Sequence, residues 1–130
     1  MLVKGIKPMF NHIVTTMDRY EDDQHNGALI DVKRQSGMIK DVQRVVAVGT
    51  TVTSLHVGDI VKINPTRYMR VGNSVKDLDK SQNDIKFEFP VVEMSDKNYL
   101  FLFDTDIDYI ITEYEYEVEA IPDSKDVRYN

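Results

Sequence analysis

Histidine and aspartate are the residues of this sequence whose side chains could do acid–base or metal chemistry. The three histidines, at positions 12, 25 and 56, lie far apart, and none has a metal-ligand partner three or four residues away. Asp104 and Asp106 are spaced to act as an acid–base pair or to bind a cation, but aspartates between two strands more often shape a turn. We therefore expect structural or solvated histidines and two turn aspartates.

Other catalytic signatures are missing from the sequence. Cysteine is absent, which excludes disulfides, thiolate zinc sites and thiol catalysis. There is no Gly-x-Ser-x-Gly elbow, no phosphate-binding Gly-Lys-Ser/Thr loop and no Gly-x-Gly-x-x-Gly. Asp77 and Asp79 lack the glycine and distal glutamate of a calcium loop. We expect a protein that is not an enzyme and that carries no cofactor and no metal.

Length, composition and charge narrow the class of protein further. The 130 residues are 42% hydrophobic and 29% charged, which is typical of one globular domain. The net charge of −6 argues against a nucleic-acid partner, since such proteins usually present a basic surface. No apolar run approaches the roughly 18–20 residues that cross a bilayer, and the N-terminus has no apolar signal core. We expect a cytoplasmic protein without a membrane partner.

Short β-rich runs bounded by Gly, Asn, Asp and Pro predict an all-β barrel or sandwich. The predicted strands cover 11–17, 45–48, 60–63, 91–94, 99–103 and 107–111. The apolar run 45–48 is expected to be buried on both faces, and Val57-Gly58-Asp59 is a turn signal. Residues 113–119 alternate strictly, which predicts an amphipathic strand. Its Tyr114 and Tyr116 either form a binding surface or cover the barrel through their rings.

Two stretches leave alternatives open. Ala28-Leu29-Ile30 is an apolar island inside the polar stretch 18–36, so it is either a short buried strand or an exposed tripeptide that docks in a partner's groove. Between residues 66 and 97 the apolar spacing allows a short helix at about 75–82, but the interior residues are poor helix formers and a loop fits nearly as well.

Four groups of residues, taken in order, resemble the landmarks of a known family. They are Ile6-Lys7-Pro8-Met9 continuing into Ile13-Val14; Gly27-Ala28-Leu29-Ile30; Val45-Val46-Ala47-Val48-Gly49 with Val57-Gly58-Asp59-Ile60-Val61; and Tyr99-Leu100-Phe101-Leu102 with Asp106-Ile107 and Ile110-Ile111. In this order they resemble the GroES-like co-chaperonins, the small ring-forming lids of chaperonins. No single motif is specific, but the four groups occur in the order of the family and together span most of residues 6–112.

The resemblance implies a fold and an assembly. It implies a GroES-like, partly open β-barrel over residues 1–112, with a flexible mobile loop at about 18–36, an insertion at about 65–97 and an acidic extension at 113–130. It also implies a homo-oligomeric ring, a heptamer in the family, closed by edge strands. The strands near 6–17 and 107–111 are the expected edges.

The resemblance also implies a function. It implies a co-chaperonin that caps a group I chaperonin in a nucleotide-dependent way and helps to enclose and fold unfolded client proteins. The docking residues would be Gly27, Ala28, Leu29 and Ile30. The alternative is a structural or interaction module with the same barrel and no chaperonin partner. A fragment of a medium-chain alcohol dehydrogenase, which shares the domain, is disfavoured because the chain has neither Cys nor a dinucleotide fingerprint.

The chain also departs from the family pattern. Asn11-His12 stands where Asp-Arg is usual, Gln43 where a glycine is expected, and Ala28 where a larger aliphatic residue begins the docking tripeptide. Residues 50–56 are too few for the roof hairpin of the bacterial forms, and 64–98 is longer than usual. The expected consequences are docking that is weaker or tuned to a different chaperonin, and a ring that encloses a dome of altered height or has an open top.

Overall fold

The protein is all-β with antiparallel sheets, as the sequence predicts. A computed structural model describes residues 1–21, 37–73 and 83–116. The strands are β1 (His12–Thr15), β2 (Val42–Val48), β3 (Ile60–Ile63), β4 (Met69–Asn73), β5 (Asn83–Phe87), β6 (Val91–Met94), β7 (Lys97–Phe103) and β8 (Ile107–Ile111). Two 3₁₀ helices, Pro65–Tyr68 and Asp104–Asp106, connect strands. Within these ranges no helix is long and apolar enough to cross a membrane.

Six strands form one sheet in the order β6-β7-β1-β2-β3-β8, and β4 pairs with β5 in a separate hairpin. Every pairing is antiparallel. The strands β6 and β8 are therefore the edges of the sheet. Strand β1 is paired with β2 on one side and with β7 on the other. The edge expected near 107–111 is therefore confirmed as β8. The other edge was expected near 6–17, but the strand of that segment, β1, lies in the interior of the sheet.

The core consists of inward side chains from the strands and from the segment between β2 and β3. Alternation along the strands explains which residues belong to the core, because every second side chain points to the same face of the sheet. Its most buried members, each less than 2% exposed, include Ile13, Val45, Val61, Ile63, Leu100 and Leu102. Val52, Leu55 and Tyr68 complete the cluster.

Strand β2 is less buried than its apolar sequence predicts. Val45 is fully buried, whereas residues 46–48 are half-buried. The pairing explains the difference: β3 covers β2 only over Val42–Arg44, so the last residues of β2 have β1 alone as a partner. The prediction that 45–48 is buried on both faces is therefore wrong for 46–48.

The strand predicted for 113–119 is not formed in its described part. Strand β8 ends at Ile111, which lies opposite Ile60, the first residue of β3. Beyond that point β3 offers no backbone to pair with, and residues 112–116 are irregular. Residues 117–119 lie outside the described residues.

The region around 65–97 contains the hairpin of β4 and β5. Its register pairs Met69 with Phe87 and Val71 with Ile85, which places four apolar residues on one face. These side chains are between 39% and 58% exposed. The helix considered for 75–82 falls outside the described residues.

Gly49 ends β2 because no larger residue fits there. A Cβ at this position would overlap the carbonyl oxygen of Phe10 and lie 2.8 Å from that of His12. The backbone uses this close approach, since the amide of Gly49 donates to the His12 carbonyl (2.8 Å). Gly49, which follows the apolar run 45–48, thus joins the end of β2 to the first residue of β1.

Candidate functional site

The predicted docking residues Gly27, Ala28, Leu29 and Ile30 lie outside the described residues, but the two ends of their segment are described. The structure places 18–21 against 37–40 as a short antiparallel ladder, which we call the neck. The Tyr20 amide donates to the Met38 carbonyl (2.8 Å) and the Lys40 amide to the Asp18 carbonyl (2.9 Å). Residues 18–21 and 37–40, which flank the segment 22–36, therefore lie side by side.

Side chains reinforce the neck. Arg19 Nη1 donates to the Gly37 carbonyl at 2.6 Å. The Lys40 ammonium lies 5.8 Å from the centre of the Tyr20 ring, within the range of a cation–π contact. The neck is thus held by backbone bonds, by a charged donor and by an aromatic contact.

The Gln43 side chain joins the neck to the sheet. It is 2% exposed. Its Oε1 accepts from the Thr16 hydroxyl (2.7 Å) and from the Asp18 amide (2.9 Å). Its Nε2 donates to the carbonyls of Asp18 (2.9 Å) and Lys40 (2.8 Å). All four hydrogen-bonding positions of the carboxamide are therefore filled by residues that precede and follow the segment 22–36.

The sequence contains a signal for this role of Gln43. Gln43 alternates with Val45 on the inward face of β2, and a polar residue at a core position must find internal partners. The family resemblance alone marks Gln43 only as a departure from the expected glycine.

A surface groove of about 510 Å³ lies beside the neck. Strand residues Val42, Arg44, Ile60 and Ile111 form its floor, and Tyr114 and Tyr116 stand in the irregular segment after β8. The rings of the two tyrosines meet edge-on, with centres 5.4 Å apart. They are 53% and 79% exposed. Of the two alternatives for these tyrosines, an exposed surface fits better than a cover for the core.

The base of the hairpin lies next to the neck as well. A smaller cavity of about 170 Å³ is lined by Met38 and Ile39 from the neck and by Phe87 and Phe89 from the end of β5 and the residues after it. Phe89 also contacts the buried Tyr68 ring, with centres 5.2 Å apart. The base of the β4–β5 hairpin thus lies on the side of the molecule that carries the neck.

Asp106 has a structural role. It is 3% exposed, and its Oδ1 accepts from Arg67 Nε at 2.8 Å. Its Oδ2 accepts from the Tyr68 hydroxyl and from the Phe103 amide (2.9 Å). Asp104 has a different partner, the Asn11 side chain, at 3.3 Å. The two aspartates therefore do not act as a pair, which agrees with the expected turn role.

The same cluster affects the ionisation of Tyr68. Burial, followed by the hydrogen bond to Asp106 and the negative charge of that carboxylate, raises the pKa of Tyr68 well above its usual value of 10.0. The hydrogen bond and the charge of Asp106 also raise the pKa of Arg67. The cluster connects the two 3₁₀ helices and holds Tyr68 in the core.

The histidines that the structure describes are dispersed. His12 stacks on Phe101 and contacts Phe103, with both ring centres 4.5 Å away. His56 is exposed at the turn and its amide donates to the Asp59 carboxylate (2.8 Å). His25, Asp77 and Asp79 lie outside the described residues. Within 1–21, 37–73 and 83–116 no three metal-ligating side chains come together.

No family model matches the chain, and no curated protein matches it.

Proposed function

We propose that this chain is a co-chaperonin: a ring-forming lid that caps a group I chaperonin and helps it enclose and fold client proteins. One observation carries the proposal. The segment with the apolar tripeptide is attached to an antiparallel sheet through a clamped neck, so that a docking loop would be presented from a fixed base. The resemblance described above supplies the class of partner.

Docking would use Gly27, Ala28, Leu29 and Ile30 as the contact residues. Each loop would bind weakly, because ordering a chain segment on binding opposes the contact it makes. Several loops on one ring would bind tightly together, because the first contact raises the effective concentration of the others. Weak single contacts also allow release when the nucleotide cycle changes the chaperonin. This chain would contribute binding and no chemistry of its own.

Ring assembly would use the edge of β8 that no strand in the described part of the chain covers. An exposed edge invites pairing with another chain, and closure into a ring removes it. The best candidate to pair with it is the segment 1–8 of a neighbouring copy, which lies outside the named strands and carries Lys4 and Lys7. Glu113 and Glu115 follow β8, so the charges are complementary.

A heptamer, the ring size that the resemblance implies, would carry 7 × (−6) = −42 formal charges. An acidic and wettable lid offers an enclosed client little apolar surface to bind. Such a wall favours compaction of the client over adhesion to the lid.

Size-exclusion chromatography with light scattering tests the proposal, first with the chain alone and then with a group I chaperonin plus nucleotide. We expect a ring near seven subunits that co-elutes with the chaperonin only when nucleotide is present. A ring or smaller oligomer that ignores the chaperonin would support the alternative, an interaction module with the same fold.

A charge placed in the tripeptide tests the loop assignment. Leu29→Asp and Ile30→Asp should abolish co-elution and leave the ring intact, because a carboxylate in an apolar groove loses its hydration. Gln24→Asp adds the same charge to a polar position of the same segment and should still co-elute. Equal binding by all three variants would show that docking does not use this tripeptide.

A further inference from the structure

We propose that Gln43 is a positioning residue for docking: its carboxamide holds together the two ends of the segment 22–36 and thereby sets the affinity of the loop for its partner. This inference rests on the proposed function. It assigns to a buried residue outside the tripeptide a share of the docking strength.

The chemistry of the carboxamide suits it to this task. One carboxamide group can donate two hydrogen bonds and accept two, and here it both donates to the neck and accepts from it. The Asp18 amide and carbonyl both bond to it on the strand that leads out, and the Lys40 carbonyl bonds to it on the strand that leads back. No residue type other than Asn or Gln offers donors and acceptors in this arrangement, and Asn is one methylene shorter.

The Thr16 hydroxyl extends the arrangement into the sheet. It donates to Gln43 Oε1 (2.7 Å) and accepts from the Arg44 amide (2.9 Å). The neck is therefore fixed to β2 and to the residue that follows β1. The central strands of the sheet thus fix the position of the neck, the two stretches that flank the segment 22–36.

A fixed neck lowers the entropic cost of docking. A loop with unpaired ends must lose additional backbone freedom when it binds, whereas a loop whose ends are already paired does not. Loss of the clamp therefore weakens binding even though Gln43 does not touch the partner. The loss recurs in every loop of a ring, and multivalent binding multiplies it.

Two substitutions remove the clamp in different ways. Gln43→Leu keeps the bulk of the side chain and removes every hydrogen bond. Gln43→Glu keeps the shape but places a carboxylate oxygen against the carbonyls of Asp18 and Lys40. Val45→Ala, at the next inward position of β2, is the matched control, since it destabilises the core while the bonds of the Gln43 carboxamide to the neck stay in place.

The assay measures the apparent Kd for a group I chaperonin with nucleotide, together with the ring mass and the thermal midpoint. If the clamp contributes as much to binding as one hydrogen bond, its loss lowers the affinity of each loop about fivefold. A ring that uses several loops should then lose more than about tenfold in affinity. Both Gln43 variants should show this loss with an intact ring. Val45→Ala should bind like the wild type despite its lower midpoint.

A disulfide across the neck provides the rescue. Arg19 and Ile39 form an antiparallel bridge, and the neighbouring backbone bonds mark them as a non-hydrogen-bonded pair, whose side chains lie close together. Arg19→Cys with Ile39→Cys, oxidised in the Gln43→Leu background, should restore most of the affinity, and reduction should remove it again. A structural defect elsewhere would not respond to this bond.

The outcomes separate the two proposals. If the wild type docks and the Gln43 variants dock equally well, or lose no more affinity than Val45→Ala, the role of Gln43 is refuted and the proposed function stands. If the wild type does not dock, the proposed function fails and the docking role of Gln43 fails with it. Amide exchange at Tyr20 and Lys40 then shows whether the clamp itself exists, because those amides should exchange faster in Gln43→Leu.

Discussion

Replacing Asp106 with alanine should lower the free energy of unfolding by about 4 kcal/mol, and the structure allows the contributions to be assigned. The Tyr68 hydroxyl, on a residue that is 5% exposed, loses a hydrogen bond to a charged acceptor, worth about 1.5–3 kcal/mol. The Phe103 amide loses its acceptor and contributes about 1–3 kcal/mol. The Arg67 side chain is 53% exposed, so water replaces its partner and the loss there is below about 1 kcal/mol.

Urea denaturation followed by far-ultraviolet circular dichroism measures this loss. All variants should be compared at one protomer concentration, because any self-association of the chain would add to the apparent stability. Asp106→Asn is the matched variant: it keeps the volume and one acceptor oxygen, and should cost about half as much as Asp106→Ala.

A double-mutant cycle tests the cause of the loss. Tyr68→Phe should cost about 1–2 kcal/mol in the wild type and almost nothing once Asp106 is alanine, because the hydroxyl that this substitution removes has then already lost its acceptor. The reasoning is refuted if Asp106→Ala costs less than about 1 kcal/mol. It is also refuted if Tyr68→Phe costs the same in both backgrounds.

Two further predictions concern Gly49 and the alkaline limit of stability. Gly49→Ala should lower the free energy of unfolding by about 3 kcal/mol or more, because the added Cβ meets the backbone oxygens of Phe10 and His12. Gly72→Ala is the control: no atom lies near its added Cβ, so it should change the thermal midpoint little. Equal midpoints for the two variants would contradict this packing. Because the pKa of Tyr68 is raised on folding, its contribution to stability is complete below about pH 10 and declines as the pH rises further. Urea midpoints measured from pH 8 to 11 should therefore fall at the alkaline end, less steeply in Tyr68→Phe, and parallel curves would exclude this linkage.

The strand and turn pattern was predictable where local chemistry decides the structure. The turn at Val57-Gly58-Asp59 is an example: Gly58 has a φ of +100°, which favours glycine, and the Asp59 carboxylate accepts the His56 amide within the turn. Both signals are contained in a few consecutive residues. Strands β6, β7 and β8 were predicted on the same kind of local pattern and are confirmed.

Features that depend on distant partners were not predictable in this way. The sequence identifies Gln43 as polar, but its partners are at 16, 18 and 40, and only the sheet pairing brings them together. The pattern of residues 113–119 is a good strand pattern, yet the pairing of β8 with β3 ends at Ile111. Strands need partners, and a sequence pattern does not say where the partner strand ends.

The two parts of the proposed function use different elements of the sheet, so they can be perturbed separately. The neck is anchored on β2 and on the residue after β1, in the middle of the sheet, whereas the edge proposed for ring closure is β8. Strand β3 lies between them and pairs with both β2 and β8. A variant that disturbs only the carboxamide of Gln43 leaves the backbone pairing of β3 and β8 in place, because its bonds go to the neck. Loss of docking with an intact ring would therefore locate the defect at the neck, whereas joint loss of docking and assembly would indicate damage to the sheet itself.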